Sequence, residues 1–194
     1  MSSRVQTIVI VICVILAAAF VSFQILRKPA GSVQETKTGS PQGPFTERAR
    51  LAEFTKNGVA VTILLETDSS QQLLLRATFK PQNGFHLYSK DLDPKTTGGV
   101  GLPTRVDFAQ STGVSPIGPP ITDVSPKRHD FDQPRISVDI YPDGPVTWRQ
   151  AVRIDAVTNA TAQLAISYMA CKTDGVCLRP VDKYLVDIAF SQAK

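Results

Sequence analysis

Beyond residue 45 the sequence never sustains the spacing of an amphipathic helix; its large apolar residues come in short runs and period-two alternations cut apart by Pro, Gly, Asp and Ser. Such a chain is confined to strands. Val59–Leu65, Leu73–Phe79 and Phe85–Tyr88 read as strands, as do Arg105–Phe108, Ile136–Tyr141, Val146–Val157, Ala162–Met169 and Tyr184–Phe190. Eight strands in about 145 residues predict an all-β sandwich. A short helix is offered only by Glu47–Phe54, which excludes a βαβ unit and its parallel sheet. No unit of about 20 to 50 residues repeats. Pro103, Pro116, Pro119, Pro120, Pro126, Pro134, Pro142 and Pro145 crowd the middle of the chain, and each would remove a ladder donor from a central strand. That stretch is expected to form loops and edge strands, and loops on a rigid sandwich are where function concentrates.

The beginning of the chain is of another kind. Val5–Leu26 contains no charge and only Gln6, Thr7, Ser22 and Gln24 as polar interruptions. At ~1.5 Å per residue it would span roughly 33 Å, enough for a bilayer. A cleaved signal has an apolar core of about 7 to 15 residues, and this run continues past Ala17-Ala18-Ala19 into Phe20, Val21 and Phe23, so residues 5–26 are expected to be an uncleaved transmembrane anchor. Cys13 lies within it, behind Ile10-Val11-Ile12 rather than the small residues of a lipoprotein cleavage site. Residues 27–45 are rich in Gly, Pro, Ser, Thr and Gln and poor in large aliphatics, the composition of a flexible stalk with an end-to-end distance of roughly 25 Å. A domain over residues 46–194 follows.

Charge excludes one class of partner. Of the 21 basic residues, 20 lie beyond residue 26, where all 17 acids also fall, leaving a net charge of +3 with no basic run. Nucleic acid is not an expected partner, because a phosphate-tracking surface concentrates its cations. Arg4 and the amino terminus roughly balance Arg27 and Lys28 across the anchor, so flanking charge leaves the orientation open. The remaining cysteines, Cys171 and Cys177, are a close pair in an otherwise thiol-free region, which suits an oxidising compartment and places the domain outside the cytoplasm.

Those cysteines are also the leading chemical candidates. Asp174-Gly175 between them is a strong turn former that can bring the two α-carbons within the ~4.4 to 6.8 Å of a disulfide. A loop this short would contribute about 2 kcal/mol as a staple, which leaves structural and redox readings both open. Zinc is disfavoured: a tetrahedral site takes four ligands, and His86 and His129 are distant in sequence with no second cysteine pair. Gly98-Gly99-Val100-Gly101 has no helix signal after it and reads as a turn, not a phosphate loop.

Three segments carry a resemblance: Gly84–Lys90 (GFHLYSK) with Gly98–Phe108 (GGVGLPTRVDF), His129–Phe131 (HDF), and the cysteine loop Cys171–Pro180. Over about residues 46 to 190 the chain resembles the N-terminal domain of the thiol:disulfide interchange protein DsbD. The resemblance implies an immunoglobulin-like β-sandwich that relays electrons outside the cytoplasm, with thioredoxin-like donor and acceptor proteins and no cofactor. By the same resemblance Cys177 matches the attacking cysteine and Cys171 the one that resolves the mixed disulfide. Phe131 matches an aromatic cap over the sulfurs, expected at a loop tip among His129, Asp130, Asp132 and Pro134, while Tyr88 and His86 line the site. Two departures are visible: Leu178-Arg179-Pro180 stands where the family often has an aromatic and two prolines, and His86 replaces one of two aromatics. The chain reaches Lys194 without the multi-span region or thioredoxin-like domain that accompany this module in DsbD, so the donor is expected to act in trans. The competing reading is a non-catalytic binding module in which the disulfide only shapes a loop. A hydrolase finds no nucleophile motif to go with the two histidines.

Overall fold

The computed structural model of the protein describes residues 46–132, 135–155 and 159–190. The expected anchor (5–26) and stalk (27–45) lie outside them, and among the described residues no helix is long and apolar enough to cross a membrane.

The described regular elements are strands. They are β1 (Thr46–Lys56), β2 (Val59–Thr67), β3 (Leu73–Pro81), β4 (His86–Leu87), β5 (Arg105–Thr112) and β6 (Val114–Thr122), then β7 (Lys127–Asp132), β8 (Arg135–Ile140), β9 (Val146–Ile154), β10 (Ala160–Tyr168), β11 (Ala170–Cys171) and β12 (Val181–Phe190). A five-stranded sheet runs β1-β2-β3-β9-β6 and a three-stranded sheet β12-β10-β5; β11-β4 and β7-β8 are two-stranded ladders. All of these ladders are antiparallel.

The sandwich follows from alternation. Val59, Val61, Ile63 and Leu65 of β2, Leu75, Ala77 and Phe79 of β3, and Val146, Trp148 and Val152 of β9 turn inward from one sheet. Ala162, Leu164, Ile166 and Tyr168 of β10, Val181, Ile188 and Phe190 of β12, and Val106 of β5 meet them from the other. Their removal from water is the main driving term of the fold.

Each expected strand has a counterpart, apart from the residues of the Val146–Val157 run that lie outside the described set, but four elements depart from expectation. Glu47–Phe54 is strand rather than helix: Asn57 (φ 45°) and Gly58 (φ 74°) make a two-residue turn that pairs Lys56 with Val59 and folds β1 onto β2. Both central residues have positive φ, as a type I′ hairpin demands. Register shifts at Glu47/Ala49 and Arg50/Ala52 break the alternation that would have announced β1. The proline-rich middle yields β6, an edge strand in which a register shift between Ile117 and Ile121 absorbs Pro119 and Pro120. The Gln150 amide donates to the Ile117 and Gly118 carbonyls there, each at 2.9 Å. His129–Phe131 belongs to β7, paired with β8. β11 is the fourth, short enough to have no signal of its own.

One charged group is buried on the outer face of the large sheet. Glu66 of β2 is 1% exposed and accepts from Arg149 Nε at 2.8 Å, with Arg76 Nη1 3.2 Å from its other oxygen. Arg76 and Arg149 stand directly opposite each other on β3 and β9, so the carboxylate separates two like charges.

Candidate functional site

The cysteine loop leaves β10 through β11 and returns toward β12. Lys172 N–H donates to the Val176 carbonyl at 2.8 Å and Gly175 N–H to the Lys172 carbonyl at 3.0 Å. The Asp174 carboxylate accepts from Val176 N–H at 3.2 Å, and Gly175 supplies the positive φ (92°) the turn needs. This closes Cys171 onto Cys177 as a disulfide with α-carbons 4.0 Å apart, slightly nearer than the spacing expected from sequence.

The loop exit is moored to the β1–β2 turn. Leu178 N–H donates to the Ala170 carbonyl at 2.9 Å, and Asn57 Nδ2 donates to the carbonyls of Arg179 (2.9 Å) and Pro180 (3.3 Å). Gly58 holds a φ of 74°, which favours glycine, and a Cβ there would lie 2.5 Å from Leu178 Cδ1, so that side chain would have to move. The Asn57-Gly58 dipeptide is a sequence signal that could have identified this anchor point.

The two sulfurs differ in access. Cys171 is 1% exposed, whereas Cys177 lies on the surface next to Val176, itself 55% exposed. Around the buried sulfur is a small apolar cluster separate from the main core: Tyr88, Leu92, Val138 and Cys171, with Phe131, Ile136, Ile140 and Met169 packed against it. Tyr88 Oη donates to Cys171 Sγ at 3.4 Å. Burial pushes the Tyr88 phenol above its usual range, so it remains a donor near neutral pH. Phe131, one residue from the end of β7, is half-buried, and His129 meets its ring edge-on at 4.5 Å.

β4 carries the other face of the site. His86 is the ladder partner of Cys171, and its ring meets that of Tyr88 edge-on at 5.7 Å. It is 1% exposed and neither imidazole nitrogen has a hydrogen-bond partner. Burial holds its pKa below the usual histidine range, opposed by the negative charge of Asp143 and assisted by His129. β4 itself is held by Tyr141 N–H donating to the Leu87 carbonyl at 2.8 Å and Ser89 N–H to that of Asp139 at 2.9 Å.

The structure thus brings Cys171, Cys177, Tyr88, His86 and Phe131 to one end of the sandwich. Sequence reasoning missed Gly101. A Cβ there would lie 2.6 Å from the Tyr88 ring, and its φ is 82°, so the glycine makes room for the tyrosine. Of the Gly98–Gly101 run, read as a turn, Gly98 and Gly99 lie in a turn and Gly101 just past it, where it carries this further duty.

Comparison with known proteins adds the following. No match was found among curated proteins. The N-terminal periplasmic domain of ScsB from Proteus mirabilis is a similar solved structure, at 16% identity and a TM-score of 0.45, over 74% of this chain and 51% of that one. The sequence profile of the N-terminal domain of thiol:disulfide interchange protein DsbD matches residues 52–187, well over half of the chain. That match takes in all five site residues, and the chain belongs to the family of the DsbD N-terminal domain.

Proposed function

We propose that residues 46–194 form an immunoglobulin-like domain that exchanges thiols and disulfides with thioredoxin-like proteins. It would be held outside the cytoplasm, on the periplasmic side, by an anchor over residues 5–26 and a stalk over 27–45. The observation that carries the reading is the unequal access of one disulfide's two sulfurs: Cys177 at the surface, Cys171 buried against Tyr88. A purely structural staple gains nothing from that asymmetry, whereas exchange requires one sulfur for the partner and a second kept in reserve.

In the direction that reduces a partner, the Cys177 thiolate attacks one sulfur of the partner's disulfide, and the partner's other cysteine leaves as a thiolate. Cys171 then attacks Cys177, the mixed disulfide breaks, and the second partner cysteine leaves. Two electrons have moved, the Cys171–Cys177 bond has formed, and the partner holds two thiols. A donor dithiol runs the same steps backward, and no cofactor enters. Phe131 serves as the cap that limits access to the sulfurs, with Tyr88 and His86 lining the site beneath.

The test uses Cys171→Ala and Cys177→Ala, each mixed with an oxidised thioredoxin-like partner and run on non-reducing gels. Cys171→Ala should accumulate a covalent complex because resolution is blocked, and Cys177→Ala should trap much less. Equal trapping rejects the assignment of roles. No trapping by either, together with a reduction potential below about −300 mV, favours the non-catalytic binding module.

A further inference from the structure

The resolving step leaves one proton unaccounted for. Cys171 must lose its proton to attack Cys177, yet it is cut off from water at 1% exposure. Only the thiolate is nucleophilic, so a neighbouring group has to receive that proton. The immediate candidates are the side chains on its own face, Tyr88 and His86. Tyr88 donates to the sulfur and, with its phenol pushed up by burial, has no capacity to accept at neutral pH. His86 is cross-strand to Cys171, and directly opposed residues of an antiparallel pair project their side chains to the same side with β-carbons about 4.5 to 5.5 Å apart. Both its nitrogens are buried and unpartnered, an arrangement that costs stability unless the ring has work to do.

We propose that His86 accepts the proton of the Cys171 thiol as that sulfur closes on Cys177, and returns it when the disulfide is reopened by a donor. The inference rests on the exchange reading above and deepens it. In the forward step the S–H bond of Cys171 breaks, its proton passes to an imidazole nitrogen, and the electron pair left on sulfur forms the bond to Cys177. The Cys177–partner bond breaks, the partner's cysteine leaves as a thiolate, and the imidazolium gives up its proton to that thiolate. No outside oxidant or reductant is needed. The titratable groups around the ring are Tyr88 just after its own strand, Cys171 on β11, His129 on β7 and Asp143 after β8; Lys172 lies nearby, over the Phe85 ring at 5.4 Å. Asp143 favours the imidazolium, whereas burial and His129 favour the neutral ring, the form able to accept.

The experiment follows the reduced full chain carrying Cys13→Ser, which leaves a single cysteine pair and serves as the wild-type reference, in excess dithiobis-nitrobenzoate. Cys177 releases one aromatic thiolate, and Cys171 then displaces the second in a step independent of reagent concentration. With wild-type protein the second release should level off above about pH 6.5, where the imidazole is neutral. His86→Phe should slow it about 100-fold at neutral pH and make it climb about tenfold per pH unit toward the thiol range near 8.5. His86→Ala should regain rate when imidazole is added, which a merely structural role would not produce. A wild-type rate still climbing through about pH 8, or variants that keep the wild-type plateau, overturns the role of His86 and leaves the exchange reading standing. Release of a single thiolate by the wild type overturns the exchange reading and this inference together. Should a variant fail to fold, the wild-type profile decides alone.

Discussion

Phe131 touches both sides of the functional question, since it packs against the cluster that holds Cys171 and is itself only half-buried. As the proposed cap it would control access and contribute little to the core. Phe131→Ala should therefore keep the fold and speed alkylation of the reduced cysteines by a small reagent. An unchanged rate with a stability loss of ~3 to 5 kcal/mol would make it a core residue instead. Gly101 gives a second prediction at this scale. Gly101→Ala sets a methyl group against the Tyr88 ring and asks a non-glycine residue to hold φ of 82°, so stability should fall by about 1 to 3 kcal/mol. The same variant should weaken the Tyr88 bond to Cys171 and alter the reactivity of the reduced pair, measured by denaturation and by thiol titration together.

Among the elements, β2, β3 and β9 are joined on their outer face by Glu66, which lies between the guanidinium groups of Arg76 and Arg149. Glu66→Gln removes the charge and leaves the two arginines opposed across the ladder, so it should cost about 3 kcal/mol in chemical denaturation. Glu53→Ala breaks only the exposed pair with Arg50 on β1 and should cost less than about 1 kcal/mol. Much of this architecture is legible in the sequence because β2, β3, β9 and β10 bury one face each, and burial enforces alternation. β1 is not, since its bulges shift the inward face partway along the strand. β6 and β7 are equally silent: edge strands with one ladder partner tolerate proline and charge, and their pairing rests on backbone groups that leave no mark on residue type. The sulfur pair is legible from its spacing around Asp174-Gly175, whereas Tyr88 and Phe131 were found through their resemblance to a family. The cross-strand placement of His86 against Cys171 was not, because a two-residue ladder carries no period to read.

For the molecule as a whole, the domain boundary predicts that residues 46–194 fold without the segment before them. Circular dichroism of that fragment should show strand signal and a cooperative melt, and an unfolded spectrum would move the boundary. Its stability should also depend on pH through His86. Burial lowers the folded-state pKa of this imidazole below its ordinary value, so between the two values the unfolded chain binds more protons and stability rises with pH. The contribution is complete above about pH 6.5 and is lost as pH falls from there through the folded value. Denaturation midpoints of the oxidised protein from about pH 7.5 to 5 should fall more steeply for the wild type than for His86→Phe.

On the proposed function, the burial of one sulfur and exposure of the other would also set the order in which partners are served. On the exchange reading proposed above, a donor and an acceptor would engage at the same atom, the Cys177 sulfur, so they would take turns and would not occupy the domain together. Steady-state turnover should then be ping-pong, with parallel double-reciprocal lines when donor and acceptor concentrations are varied. Either partner in excess, by crowding the one doorway in its unreactive redox form, should slow the other.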